Sequence, residues 1–438
     1  MKPKTSWNLF WSLFLFFLVF QPAGGAAQEE KVYTLEEGVA EALANNWALK
    51  AKQEKLDQAT SVKNQARANF LPKLSMNYGY TRLGAAKSIR YLEDLTIGTR
   101  DNYRWQGSVV QPLFTGFALI STYRLAELGI DQSRMEIELE KLDLALKVKQ
   151  AYFEILAADQ ALKSFNKAAE ALESHVKVAR SFYEVGMIPV NDLLQSEVNL
   201  GNAQRDVIVA KNATQLSRSS FNTVLSRPVN AKVAVEDILV HKPERGNFQD
   251  YLQKALKNRP EMKIVEINIL KTDQQIRLAK SKIYPEVVLA FDYVKEGDTP
   301  DVSGSDLHEA DEWQATAGLS WTFWEWGKTY YTVKEQESLK KELIKTKMAL
   351  EDQIQLQIKD AVLNLEQAEK NIPISQKAVE QGEENLRVST ERYKAQVSTS
   401  TEVVDAQRYL TRARVNNFTA YYDYHLAKAQ LLRSMGEY

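Results

Sequence analysis

Most of the chain repeats its apolar positions with alternating spacings of four and three residues. The run from Ile130 to Val185 contains neither glycine nor proline, and the same holds from Glu383 to Met435. Such a seam predicts long helices that pack against a partner helix along their length. The first seam comprises Leu144, Val148, Ala151, Ile155, Ala158, Leu162, Phe165, Ala169, Leu172, Val176, Ala179 and Tyr183. The second comprises Ile354, Ile358, Ala361, Leu365, Ala368 and Ile372, and it weakens beside Pro373, where a bend is expected.

Four short segments instead repeat with a period of two, which predicts strands with one apolar and one polar face. They cover residues 74–81, 103–109, 287–293 and 313–323. The apolar positions include Leu74, Met76, Tyr78, Tyr80, Trp105, Val109, Leu289, Phe291, Tyr293, Leu319, Trp321 and Phe323. Long polar loops (84–101 and 295–311) separate the two strands of each pair, so the strands are expected to form two hairpins.

The two halves of the chain show the same order of features. Residues 41–50 align with 254–263 at an offset of 213, and residues 181–200 align with 391–410 at an offset of 210. The sequence therefore predicts two structural repeats, each a β-hairpin followed by a long coiled-coil helical hairpin. The expected divisions are a signal peptide at 1–27, a first repeat at 28–227, a linker or equatorial segment at 228–247 and a second repeat at 248–438.

The N-terminus has the layout of a secretory signal peptide. Lys2 and Lys4 precede the apolar stretch 9–20, and small residues surround a cleavage point after Ala27. The 438 residues include no cysteine, which excludes disulfides, thiolate metal sites and a lipidated N-terminal cysteine. The formal net charge of −1 gives no support to a nucleic-acid partner. No catalytic, cofactor or metal motif is found, so we expect no enzymatic activity.

The apolar faces of the strands need a covering layer. The long helices already face each other along their seams, and in an exported protein the other apolar environment is lipid. Membrane strands alternate apolar-out and polar-in, and they must close into a barrel so that no backbone group stays unpaired. Four strands are too few, so copies of the chain are expected to share one barrel. The alternative is a soluble periplasmic coiled-coil adaptor or scaffold, which leaves the strands unexplained.

Four motifs in this order resemble the TolC-type outer-membrane efflux proteins. They are "YTLEEGVAEALANNWALK" (33–50), "NFLPKLSMNYGY" (69–80), "VQPLFTG" (110–116) and "YEVGMIPVNDLLQSE" (183–197). The resemblance implies a mainly α-helical fold in which a homotrimer forms one twelve-stranded outer-membrane barrel on an α-helical periplasmic tunnel. It also implies a passive exit duct of a tripartite efflux or type I secretion system. The implied partners are a periplasmic adaptor (membrane fusion) protein and an inner-membrane transporter.

The resemblance further implies a gate where the helical hairpins turn at the periplasmic end. The candidate gate residues are Asp192, Tyr393, Glu402 and Asp405, with a hydrogen bond between Tyr393 and Asp192. The candidate adaptor-docking residues are Gly186, Met187, Ile188, Pro189, Ser398, Thr399 and Ser400. Ser398 stands where the family's latch has an arginine, so this latch is expected to be built differently. From the residues alone, Glu402 and Asp405 could equally belong to a solvated helix face.

Overall fold

The computed structural model describes residues 31–90, 94–96, 98–238, 246–306 and 309–438. The expected signal peptide lies outside this part of the chain. The first half contains β1 (Lys31–Tyr33), α1 (Leu35–Asn45), α2 (Trp47–Ala68), β2 (Lys73–Arg82), β3 (Ser88–Arg90), β4 (Asp94–Thr96), β5 (Asp101–Thr115), α3 (Ala118–Glu184), α4 (Val190–Val224) and β6 (Val233–Val235). The second half contains α5 (Phe248–Asn258), α6 (Pro260–Lys280), a 3-10 turn (Ser281–Ile283), β7 (Glu286–Gly297), β8 (Asp311–Ser320), α7 (Lys328–Lys394) and α8 (Ser400–Ser434).

The long helices of the two halves have the same lengths. Both α3 and α7 contain 67 residues, and both α4 and α8 contain 35. Shifting the bounds of α3 and α4 by 210 positions gives the bounds of α7 and α8, which is the offset that the sequence comparison found. At about 1.5 Å per residue, α3 and α7 are each roughly 100 Å long. α7 continues through Pro373 as a single helix.

The long helices form two antiparallel hairpins that pack on each other. α3 lies along α4, α7 lies along α8, and the two hairpins meet through α3 and α8. The second predicted seam is buried at all six positions. In the first seam Leu144, Val148, Ala151, Ile155, Leu172, Val176 and Ala179 are buried, whereas Ala158, Leu162, Phe165 and Ala169 are partly exposed and Tyr183 is exposed. Among the described helices, none combines the length and apolarity required to cross a membrane.

The four predicted strands form one antiparallel sheet in the order β2-β5-β7-β8. Tyr78 lies opposite Trp105, and Phe291 lies opposite both Val109 and Ala315. Because directly opposite residues of paired strands point to the same side, the apolar positions of all four strands share one face. β8 ends at Ser320, so Trp321 and Phe323 lie beyond the strand to which the sequence assigned them.

The chain passes from strand to long helix through two consecutive left-handed residues in each half. In the first half these are Gly116 (φ 61°) and Phe117 (φ 70°), and in the second half they are Trp326 (φ 51°) and Gly327 (φ 83°). A Cβ atom on Gly116 would overlap the backbone carbonyl oxygen of Ser281, so only glycine fits there. The glycine of the motif at 110–116 is therefore explained by its packing against the start of the second hairpin.

A partly buried ionic network joins four helices near the end of α8. Glu261 Oε1 accepts hydrogen bonds from Arg259 Nη2 and Arg433 Nη1, both at 2.8 Å. Arg433 Nε also donates to Asp143 Oδ1 at 2.8 Å, and Arg259 Nη1 donates to Gln357 Oε1 at 2.7 Å. Burial by itself would raise the pKa of Glu261, but the hydrogen bonds from Arg259 and the charges of both arginines outweigh it and hold this pKa at about 2. The network ties α3, α6, α7 and α8 together.

Candidate functional site

The two helical hairpins turn with the same backbone hydrogen bonds. In the first turn Gly186 N donates to Tyr183 O at 2.9 Å, and in the second Gln396 N donates to Tyr393 O at 2.9 Å. Both turn residues are left-handed, with φ values of 75° for Gly186 and 61° for Gln396. These bonds satisfy the carbonyl groups that a helix leaves unpaired at its C-terminus. The two turns, at residues 185–189 and 395–399, are called the tips below.

The candidate docking residues differ in their exposure to solvent. Gly186, Met187, Pro189 and Thr399 are exposed, while Ile188 and Ser398 are partly buried. Thr399 caps α8, because its Oγ1 accepts from Glu402 N at 3.4 Å. Ser400 is only 3% exposed in the single chain, and its role as a docking residue stays a prediction. Its side chain points between the two hairpins, where a partner protein has no access to it.

The ring of Tyr393 is buried between the hairpins. Its centroid lies 4.7 Å from that of His175 and 5.7 Å from that of Phe182. The hydroxyl makes no hydrogen bond within the described residues. The predicted hydrogen bond between Tyr393 and Asp192 is therefore absent from the single chain. Burial raises the pKa of the Tyr393 hydroxyl, and the nearby carboxylate of Asp192 raises it further.

A buried chain of three polar side chains joins the hairpins beside Tyr393. Ser400 Oγ lies 2.8 Å from His175 Nε2 and 2.7 Å from Ser196 Oγ. His175 belongs to α3, Ser196 to α4 and Ser400 to α8, so three helices meet in this cluster. Burial lowers the pKa of His175, which favours the neutral ring. The neutral imidazole and the two hydroxyls satisfy one another away from water.

The seam pattern did not single out His175 or Ser196 as site residues. The signal was a second stripe on α3, where Ser164, Ala168, Leu172 and His175 are buried with spacings of four, four and three. A helix that contacts two neighbours carries two such stripes, and α3 contacts both α4 and α8. The histidine belongs to the weaker stripe, which faces the second neighbour, α8.

The candidate acidic residues just after the second tip have basic partners in the same chain. Arg392 Nη1 lies 3.8 Å from Glu402 Oε2, and Arg408 Nη1 lies 3.2 Å from Asp405 Oδ1. All four side chains are substantially exposed, so these ion pairs contribute little to stability. The structure thus places Glu402 and Asp405 one turn apart, with each carboxylate beside an arginine.

The polar face of the sheet is hydrogen-bonded across three strands around Asp292. Gln106 Nε2 donates to Asp292 Oδ1 at 3.0 Å, and Ser108 Oγ donates to the same oxygen. From the other side, Gln314 Nε2 donates to Asp292 Oδ2 at 3.3 Å. These side chains come from β5, β7 and β8, so the polar positions predicted from the period of two meet on one face.

The apolar face of the sheet is largely uncovered. Leu74, Met76, Tyr78, Tyr80, Leu289, Phe291 and Leu319 are exposed, and Trp105, Val109 and Tyr293 are partly buried. At one end of this face Tyr78 donates a hydrogen bond to the carbonyl oxygen of Pro300 at 2.7 Å. At the opposite end Trp321 Nε1 donates to Ile283 O at 3.1 Å. Further exposed aromatic residues near that end are Phe323, Trp324, Trp326, Tyr330 and Tyr331.

The described residues include no group of three or more histidine, aspartate or glutamate side chains placed to hold a metal ion.

The family model described as "Outer membrane efflux protein" matches residues 38–225 and 251–437. The chain is 21% identical over 390 residues to the outer membrane protein TolC of Vibrio cholerae, covering 87% of this chain and 85% of that protein. It is 20% identical over 372 residues to the outer membrane efflux protein BepC of Brucella suis, covering 85% and 78%.

Solved structures with the same fold are more distant in sequence. The CmeC outer membrane channel of Campylobacter jejuni superposes with a TM-score of 0.79 at 17% identity, covering 92% of this chain and 85% of that one. The outer membrane protein VceC of Vibrio cholerae gives a TM-score of 0.77 at 16% identity, covering 92% and 96%. At such identities these structures establish the fold.

Proposed function

This chain belongs to the outer membrane efflux protein family, and from that premise we propose that it forms the outer-membrane exit duct of a tripartite efflux or type I secretion system. The observation that carries the proposal is the pairing of an exposed apolar sheet face with two helices, α3 and α7, that are each about 100 Å long. The sheet provides a surface suited to lipid, and the helices are long enough to cross much of a periplasm. The protein is located in the outer membrane and extends into the periplasm.

The sheet has two open edges, which support closure by copies of the chain. β2 and β8 each pair on one side only within the described residues. In a hydrocarbon layer the free N–H and C=O groups of these edges would be costly, because no water satisfies them. Three copies supply twelve strands, and cyclic symmetry places each β8 beside the β2 of the next copy. The exposed aromatic residues after β8 then lie at the membrane–water boundary, which Trp and Tyr favour.

The tips are the proposed gate and docking surface. In a threefold assembly Glu402 and Asp405 from each copy surround one opening, and a ring of carboxylates attracts cations. Tyr393 is buried between the hairpins, near Asp192 but without a hydrogen bond to it, so their closing contact is assigned to a shift of the two hairpins within one chain. The exposed residue Met187 and its neighbours at the first tip are available to a periplasmic adaptor. That adaptor would connect the duct to an inner-membrane transporter, which provides the energy.

The gate hypothesis has its own test. The double variant Tyr393→Phe with Asp192→Ala should raise the single-channel conductance of the closed state, because the closing contacts are lost. Unchanged conductance would show that these two residues do not hold the gate. The matched control is Tyr409→Phe, since Tyr409 is an exposed tyrosine on the same hairpin and away from the tip.

Purified protein reconstituted in planar lipid bilayers tests the duct itself. The proposal predicts discrete conductance steps and heat-modifiable migration of detergent-extracted protein on gels. The alternative, a soluble periplasmic scaffold, predicts recovery in the soluble periplasmic fraction and no conductance. Family membership and the uncovered apolar sheet face support the duct over the scaffold.

A further inference from the structure

The buried polar cluster between the hairpins contains a group that can change its charge near neutral pH. Histidine is the side chain whose ordinary pKa lies closest to that range. His175 belongs to the first hairpin, and it contacts Ser400 of the second hairpin at 2.8 Å. A charge on this ring therefore acts directly on the contact between the two hairpins.

The hydrogen bonds of the cluster determine where an added proton binds. Ser196 Oγ donates to the carbonyl oxygen of Asp192 at 2.8 Å, and a carbonyl oxygen can only accept. Ser400 Oγ then donates to Ser196 Oγ, and His175 Nε2 donates to Ser400 Oγ. The neutral ring thus carries its hydrogen on Nε2, so the added proton binds to Nδ1. Among the described residues, Nδ1 has no hydrogen-bond partner.

The side chains that face His175 provide no opposite charge in the part of the chain that the structure describes. α3 and α8 contribute only uncharged neighbours to the cavity beside the ring. α7 contributes one cation, Lys394, and the ring of Tyr393, whose centroid lies 4.7 Å from that of His175. From α4, the carboxylate of Asp192 raises the pKa of Tyr393 but has no part in the shifted pKa of His175. Glu402, at the start of α8, already pairs with an arginine of α7.

A charged ring at this position requires water. The face of Tyr393 attracts a cation, but burial outweighs this attraction and lowers the pKa of His175. The nearest space for water is a cavity of about 420 Å³ between α3, α7 and α8, which both rings line. Hydrating Nδ1 fully from this cavity requires α8 to separate from α3, because the cluster otherwise holds these helices together.

The internal repeat of the chain does not repeat this cluster. At the offset of 210, the equivalent positions hold side chains that do not titrate; they are Asn385, Ala406 and Val190. The titratable contact is therefore a specific feature of the α3–α8 interface and not a general feature of these helical hairpins.

We propose that His175 is a proton-operated switch, in which proton uptake at Nδ1 separates α8 from α3 and opens the periplasmic end of the duct. This inference rests on the proposed duct and adds the condition under which its end opens. With the ordinary pKa of 6.5 in the separated, hydrated form, the ratio of open to closed chains rises by at most about 25-fold between pH 7 and pH 5. Neutral pH keeps the hairpins together through the uncharged hydrogen-bond chain.

Single-channel recording in planar bilayers at pH 7 and pH 5 tests the switch. The purified full-length protein should spend several-fold more time in its high-conductance state at pH 5. His175→Gln keeps a side-chain N–H donor but cannot be protonated, so this increase should be lost. The carboxylates at the tips titrate in both proteins, so the comparison removes their contribution. His175→Asn, which introduces the residue found at the repeated position, serves as a second neutral variant.

The matched control is His425→Gln. His425 also lies on α8, but it follows Ser400 by 25 residues, which places it roughly 37 Å along the helix. This variant should keep the response of the wild type. An equal response to pH in the wild type and in both neutral variants of His175 would overturn the switch and leave the duct standing, as would loss of the response in His425→Gln alone.

Thiol labelling decides the question where no conductance is recorded. The chain has no cysteine, so a single introduced cysteine is labelled without background. Val403→Cys reports separation of the hairpins, because Val403 is 4% exposed and lines the same cavity, whereas Val397→Cys is an exposed reference at the second tip. The maleimide labelling rate of the first relative to the second should rise several-fold more from pH 7 to pH 5 with His175 than with His175→Gln. Absence of conductance at every pH would contradict the duct, and labelling that does not depend on His175 would contradict the switch.

Discussion

The substitution Glu261→Gln removes the central charge of the partly buried ionic network and keeps the shape of the side chain. Arg259 is only 4% exposed and would lose its charged partner, whereas Arg433 would lose one of its two and keep Asp143. A carboxyl group with a pKa of about 2 instead of 4.5 stabilises the folded state by roughly 3 kcal/mol at neutral pH, since each pKa unit corresponds to about 1.4 kcal/mol. We therefore expect the variant to lose about 2–4 kcal/mol of unfolding free energy.

Guanidinium unfolding in detergent, followed by the helical circular dichroism signal at fixed protein concentration, measures this loss. The matched control is Glu266→Gln on the same helix. Glu266 pairs with Lys347 at 2.9 Å, but its side chain is 52% exposed, so its loss should cost less than about 0.5 kcal/mol. Equal effects of the two substitutions would refute the role assigned to the network.

The low pKa of Glu261 also makes the unfolding free energy depend on pH. Because the pKa of Glu261 is lower in the folded chain than in the unfolded chain, its contribution is complete above pH of about 4.5 and declines as the pH falls toward 2. The wild-type protein should lose this contribution in that window, and Glu261→Gln should not. If the unfolding free energies of the two proteins fell in parallel as the pH was lowered, the low pKa of Glu261 would be contradicted.

Two further predictions concern the junction and the tips. Gly116→Ala should strongly reduce the amount of assembled, heat-modifiable protein, because the new Cβ would overlap Ser281 O. Gly327→Ala should lower the unfolding free energy by only about 1–2 kcal/mol, because its Cβ makes ordinary contacts and only the left-handed backbone is strained. Similar yields of the two variants on gels would refute this difference. Because burial lowers the pKa of His175, its contact with Ser400 is complete above pH of about 6.5 and weakens as the pH falls below that value. Amide hydrogen exchange at the start of α8, corrected for intrinsic rates, should therefore be faster at pH 5 than at pH 7 in the wild type. In His175→Gln the corrected exchange rate should not depend on pH. A pH-dependent exchange rate that persists in the variant would contradict the role of the histidine.

The long-range pattern of the fold could be predicted from sequence because it depends on periodicity. The period of two located four strands with ends misplaced by one to six residues, and the spacing of four and three located the buried face of α7 at all six seam positions from Ile354 to Ile372. The end of β8 was misplaced because Trp321 and Phe323 continue the alternation of residue types after the backbone has left the sheet. The alternation of residue types identifies the strand, but backbone hydrogen bonding determines the residue at which it ends.

The tips were harder because their contacts join segments that are distant in sequence. Ser400 resembles an exposed turn residue, yet it is buried by His175, which lies 225 positions earlier. Tyr393 and Asp192 are close, as the resemblance implied, but their hydrogen bond depends on side-chain geometry that no local pattern encodes. The relation between Arg259, Glu261 and Arg433 was missed for the same reason.

The central claim is that the apolar face of the sheet contacts lipid while the opposite face lines water. Spin labels at Leu319 and Ser320, on neighbouring positions of β8 with opposite orientations, test it in protein reconstituted into lipid vesicles. The account predicts that the label at Leu319 collides preferentially with oxygen dissolved in the bilayer, and the label at Ser320 with a water-soluble nickel complex. A label at Leu319 that is reached by the nickel complex and shielded from oxygen would contradict it.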